Sequence, residues 1–128
     1  MVNVKFIKAL SYLSMLEDMT KDLRKSEGGI DTFTAYMRYM DMHKQFFPLI
    51  QEELLDAGRA KSIPVKDFVE PNENESVVGT ILMDLDIGKG NSDYRYFLLN
   101  PEAVAYLDAQ NEECEKLTME EIGNLFPV

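Results

Sequence analysis

The chain has 128 residues, with 45% apolar and 28% charged residues, one cysteine and a net charge of −10. This length and composition suit one packed domain, expected over 1–128, and exclude a disordered chain. The negative charge disfavours a phosphate-backbone binder, one cysteine excludes an internal disulfide framework, and no apolar stretch is long enough to span a bilayer.

The opening residues Met1-Val2-Asn3-Val4-Lys5-Phe6 lack the basic start and small-residue cleavage site of a secretion signal, so a cytoplasmic location is expected. Charge is unevenly placed. Residues 1–66 carry ten bases and nine acids, net +1. Residues 67–128 carry three bases and fourteen acids, net −11. The whole net charge therefore falls in the second half.

Phe6, Ile7, Leu10, Leu13, Leu16, Met19 and Leu23 recur every three or four residues, which predicts a helix from Asn3 to Lys25. Asn3 is its expected cap, and Gly28-Gly29 supplies the left-handed backbone of a turn. Asp31 or Thr32 is the expected cap of a second helix carrying Phe33, Tyr36, Met37, Met40 and Phe47. Tyr39, Met42 and Phe46 lie off that stripe, so the helix has more apolar surface than a small monomer easily buries. Pro48 is expected to kink the chain or begin a third, short helix that ends near Gly58. These helices make up the expected N-terminal layer, residues 1–60.

Residues 61–100 are expected to form a β-hairpin or small antiparallel sheet. A strand is expected over Ile63–Val69, held to an edge by Pro64. Val77–Ile87 and Asp93–Leu99 read as two strands joined by the turn Gly88-Lys89-Gly90-Asn91-Ser92. Residues 101–128 are expected to be helical and acidic. Asn100-Pro101-Glu102 is a strong helix start, and Thr118-Met119-Glu120-Glu121 matches a capping box. The fold class is thus α+β, with N-terminal helices packed on the hairpin or small sheet and an acidic C-terminal helix following. The element order is similar to that of winged-helix proteins, an analogy of order alone.

Signatures of chemistry are few. His43 is the only histidine and reads as a helix residue rather than a catalytic base. Cys114 sits among Glu112, Glu113 and Glu115, which disfavour the reactive thiolate. Residues 84–95 fail the calcium-loop pattern, because Lys89 stands where glycine is required and Arg95 where glutamate is. Phosphate-loop, nucleophile-elbow and dinucleotide signatures are missing. No catalytic residue, cofactor or metal is assigned, and the chain reads as non-enzymatic.

The charge split supports an interaction protein. Glu73, Glu75, Asp84, Asp86, Asp93, Asp108, Glu112, Glu113, Glu115, Glu120 and Glu121 are the candidate partner-binding carboxylates. Spaced over folded elements, they would present a field like that of a DNA backbone to a basic nucleic-acid-binding protein. The expected role is an inhibitor that competes for that surface, a DNA mimic of the phage or mobile-element kind, with no direct contact to nucleic acid or membrane. A homodimer is expected through Tyr36, Tyr39, Met40, Met42 and Phe46, since methionine and tyrosine suit adaptable interfaces. One alternative is a winged-helix-like regulator binding nucleic acid through Lys21, Arg24, Lys25, Arg59, Lys61 and Lys66. Another is a metal-dependent hydrolase using Asp84 and Asp86, roughly 7 Å apart on one strand face, with Asp93 or Glu102.

Overall fold

The computed structural model describes residues 1–25, 28–86 and 91–126. Two long helices come first: α1, Val4–Lys25, and α2, Ile30–Ile50. A π-helical turn, Gln51–Asp56, carries α2 onward. Three strands follow: β1, Ala60–Pro64, β2, Ser76–Asp86, and β3, Asn91–Leu99. The chain closes with α3, Pro101–Glu115, and α4, Met119–Leu125. The architecture is α+β, with N-terminal helices, a small antiparallel sheet that does not close on itself, and C-terminal helices. Ile87, expected to end a strand, and residues 88–90 of the expected turn lie outside the described residues, as do 26–27 and 127–128, whereas Asn91 and Ser92, expected in the turn, already belong to β3.

Asn3 caps α1 as expected, its Oδ1 accepting the Phe6 N–H at 3.1 Å. The start of α2 differs from expectation. Gly29 precedes its first residue with φ 87°, a backbone open to glycine, and no side chain caps the helix. Thr32 reaches back instead, its hydroxyl accepting the Gly28 N–H at 2.9 Å.

Pro48 begins no new helix. It lies inside α2, and the helical path continues through the wider π turn to Gly58, where φ is 71°. Pro48 lacks the N–H that would bond the Lys44 carbonyl, a loss that normally breaks a helix. Here Ile50 and Leu54 are fully buried beyond it. Each such burial is worth about 1.5–3 kcal/mol, enough to hold the chain on its path.

The sheet order is β1-β3-β2, all antiparallel. The expected hairpin is β2 and β3, and β1 is added on the far side of β3. The strand expected over 63–69 lies instead at Ala60–Pro64. Pro64 ends it, and Val65–Asp67 turn as a short 3₁₀ helix. Pro64 is thus on an edge strand, but at its end. The missing proline N–H suits an edge and discourages continuation.

The register assigns the two faces. Ser62, Phe97 and Gly79 align on the face toward the helices, and Ile63, Tyr96 and Thr80 on the opposite one. The inner face joins Phe6, Ala9, Leu13 and Leu16 of α1 and Tyr39 of α2 in one core. Gly79 matters here: a Cβ at this position would lie 2.8 Å from Leu13 Cγ, so the helix sits against bare backbone. On the outer face the segment after β1 crosses the sheet. Phe68 meets the Tyr96 ring edge-to-face at 4.9 Å, and the Val69 N–H donates to the Tyr96 hydroxyl at 3.2 Å.

α1 runs alongside β2, which is an edge strand. Two of that edge's backbone N–H groups are taken by α1 side chains. Thr80 N–H donates to Glu17 Oε2 at 2.5 Å, and Leu82 N–H to Thr20 Oγ1 at 3.2 Å. An open edge is a template for unwanted pairing, and α1 closes part of this one. Register shifts between Val77 and Gly79, and between Leu82 and Asp84, break the simple alternation of β2. Ile81 and Leu82, neighbours on opposite faces of the regular stretch between those shifts, are both buried, so the sheet is covered on both sides here.

Candidate interaction surface

The C-terminal helices carry most of the candidate carboxylates, and their attachment decides where those point. α3 is started by Asn100, whose Oδ1 accepts the Ala103 N–H at 2.8 Å while its amide donates to the Gly58 carbonyl at 2.7 Å. Pro101 stands in the first turn, as expected from its φ. Farther along, the buried Gln110 accepts the backbone N–H of Asn3 at 2.5 Å, and the Asn3 amide donates to Tyr106 at 2.9 Å. These bonds fasten α3 to the start of α1. Arg59 completes the joint. Its guanidinium lies 5.2 Å from the Phe6 ring centroid and 5.1 Å from that of Tyr106, and it bonds Glu53 at 3.1 Å.

With Ala103 and Gln110 buried, the opposite side of α3 faces solvent. Asp108, Glu112 and Glu115 are exposed there, spaced by four and three residues, so they share one helical face. Glu113, on the flank, is half-buried. Glu120 and Glu121 are exposed in the first turn of α4. Glu121 belongs to the capping box: its side chain accepts the Thr118 N–H at 3.2 Å, and the Thr118 hydroxyl accepts its N–H at 3.1 Å.

The other candidates are scattered. Glu73 is exposed in the loop before β2, and the half-buried Glu75 accepts the Asn72 N–H of the same loop at 2.7 Å. Asp93 forms an ion pair with Arg95 at 3.1 Å. Asp84 and Asp86 belong to β2, but their side chains lie outside the described residues. Among the described residues, no three His, Cys, Asp or Glu side chains come together as a metal site.

Tyr39 does not lie off the packed stripe of α2, as the residue pattern suggested. It is fully buried, and its hydroxyl donates to the Leu82 carbonyl at 2.6 Å. Burial pushes its phenol up to about 12, partly offset by hydrogen bonds with Thr20 and Leu82. Phe46 packs against Tyr12, the rings tilted by 42° with centroids 4.5 Å apart. Tyr36, Met40 and Met42 are half-buried against the core. The exposed apolar residues of α2 are Ile30, Phe33 and Met37, 83%, 58% and 47% exposed, near the turn with α1.

His43 stacks on Phe47 at 4.7 Å and 9°, and burial lowers its pKa. Its Nε2 is buried with no partner among the described residues, which suits a neutral ring in an aromatic stack. Cys114 is a half-buried free thiol on α3. Of the basic residues considered for nucleic acid, Arg59 is held in the α3 joint, whereas Lys21 and Arg24 line a cleft beside the second half of α1. No helix among the described residues is long and apolar enough to cross a membrane.

Neither a protein-family model, nor a curated protein, nor a solved structure matches the chain.

Proposed function

We propose that this chain is a non-enzymatic interaction protein whose acidic C-terminal helices bind the basic surface of a nucleic-acid-binding protein. The observation that carries this reading is the exposed row Asp108, Glu112 and Glu115 on α3. α3 contains no lysine or arginine, and Lys116 is the single base between residues 101 and 126. Among the described residues, no ion pair involves any carboxylate of α3 or α4. The row therefore meets no neutralising ion pair among the described residues, on a helix tied down by Arg59, Asn3 and Asn100. Rigid, unpaired carboxylates steer a basic partner to the surface and occupy the sites that phosphates would take. Inhibition is then steric and electrostatic competition, in the manner of a DNA mimic. Pairing of two copies through the exposed Ile30, Phe33 and Met37 would double the field, and light scattering would read it as twice 14.7 kDa.

The test is capture of partners from nuclease-treated lysate on the immobilised chain, washed over a salt series. The screening length falls from about 10 Å at 0.1 M to about 3 Å at 1 M, so the captured basic protein should elute as salt rises. The reversal D108K/E112K/E115K should abolish capture, and the wild-type chain should displace duplex DNA from the purified partner. Capture that survives both high salt and charge reversal would sink this reading.

A further inference from the structure

A cleft of about 310 Å³ opens on the outer side of the sheet, between the second half of α1 and the segment that follows β1. That volume is at the small end of ligand pockets, roughly 300–1,000 Å³. Thr80 and Tyr96, paired across β2 and β3, line it from the sheet. Phe68 and Val65, 51% and 37% exposed, form an apolar wall. Lys21 and Arg24 stand on the α1 side.

The polar groups of this cleft are incompletely used. Glu17 is committed: one oxygen accepts the Thr80 N–H and the other lies 3.5 Å from Lys21. That contact is loose, and the Lys21 side chain is 61% exposed. The Arg24 guanidinium lies over the Tyr94 ring, 4.9 Å from its centroid. No carboxylate pairs with it among the described residues. Tyr96 is 2% exposed. Its oxygen accepts the Val69 N–H, but its own proton meets no acceptor among the described residues. Buried phenols usually find one. A spare buried donor, two cations and an exposed aromatic wall share one concavity.

We propose that this cleft binds a small flat apolar molecule bearing an oxyanion, either a carboxylate or a phosphate monoester. The apolar body lies along Phe68 and Val65. The oxyanion turns toward Lys21 and Arg24, with the Tyr96 and Thr80 hydroxyls as neutral donors. Arginine and lysine beside hydroxyls suit oxyanions, because charge-assisted hydrogen bonds are about twice as strong as neutral ones. The site lies away from the α3 carboxylates, so its test is independent of theirs.

The experiment is an amide NMR titration of the full chain with 2-naphthoate, 2-naphthyl phosphate, 2-naphthalenemethanol and acetate. At least one naphthyl anion should shift the Lys21, Phe68 and Thr80 amides saturably, with a Kd on the order of 1 mM or tighter. The two anions compared identify the preferred oxyanion. The neutral alcohol and acetate, each lacking half of the recognition, should bind at least roughly tenfold more weakly. The variant K21Q/R24Q, altered at exposed positions, should weaken the anion roughly tenfold and leave the alcohol unchanged. Absence of saturable shifts with both anions at about 10 mM, a concentration well above that Kd, would overturn the proposal. Equal binding by the alcohol, or by K21Q/R24Q, would overturn it too.

Discussion

The Thr20 hydroxyl joins α1 to the strand edge at Leu82. It donates to the Leu16 carbonyl at 2.8 Å and accepts the Leu82 N–H at 3.2 Å. The carbonyl of Leu82 is taken by Tyr39 of α2. One residue of an edge strand is thus held by side chains of both long helices. Thr20→Val keeps the shape and removes the acceptor, leaving a buried N–H without its partner. The expected cost is about 1–3 kcal/mol, read as a lower denaturation midpoint at unchanged slope. Thr20→Ser should recover most of it. Tyr39→Phe should cost about 1–2 kcal/mol, and the double variant should cost less than the sum, because both hold the same residue, Leu82, one at its N–H and one at its carbonyl.

Tyr39 also makes alkaline stability specific to one residue. Its phenol ionises near 12 in the folded chain, against 10.0 ordinarily, mainly because burial penalises the charged form. Above pH 10 the unfolded chain releases this proton while the folded chain retains it. The contribution is therefore complete below pH 10 and is lost as pH rises toward 12. In Tyr39→Phe the fall in stability across that window should be shallower.

His43 works in the acid direction. Burial lowers its pKa below 6.5, so the unfolded chain takes up the proton first. Stability from this group is full above pH 6.5 and declines as pH falls through the folded value. His43→Leu should flatten that limb. It should also be neutral or stabilising near pH 7, since Nε2 has no hydrogen-bond partner to lose among the described residues. A measured loss of more than about 2 kcal/mol would contradict this account, because a near-isosteric apolar replacement should cost less.

Gly79 is a packing position. A methyl group there would meet Leu13 at 2.8 Å, so Gly79→Ala should destabilise by about 1–3 kcal/mol. Leu13→Ala opens a cavity at the same contact. Combined, the two should be less damaging than the sum of the single variants, which a chemical-denaturation cycle would show.

The α3 carboxylates are expected to cost the isolated chain stability. Asp108 and Glu112 are like charges four residues apart, worth about 0.2–0.5 kcal/mol of repulsion. Glu112→Gln should therefore raise the midpoint slightly at low salt and weaken partner capture. A variant losing both stability and capture would mean that Glu112 is structural.

Legibility in the sequence followed the range of the interaction. Asn3, Asn100-Pro101 and Thr118 were readable as helix starts because a cap bonds a backbone group within three residues. The strands of the hairpin were readable from short-range pattern in the same way. Asp108, Glu112 and Glu115 were readable as carboxylates, and their common face follows from helical spacing once α3 is placed.

Contacts distant in sequence were not readable. Tyr39 looked like a spare aromatic on α2, yet its hydroxyl acts on Leu82, 43 positions away. Pro48 carried every local sign of a break, and burial of Ile50 and Leu54 outweighed it. The cleft of Lys21, Arg24, Phe68 and Tyr96 draws on three separated segments, and no local pattern announces it. Composition and near-neighbour chemistry set the charge, the caps and the helical faces, since those terms are decided within a turn or a strand pair. Which polar groups end up buried, paired or left over was settled by packing. That outcome depends on burial summed over the whole core, which no single stretch of chain contains.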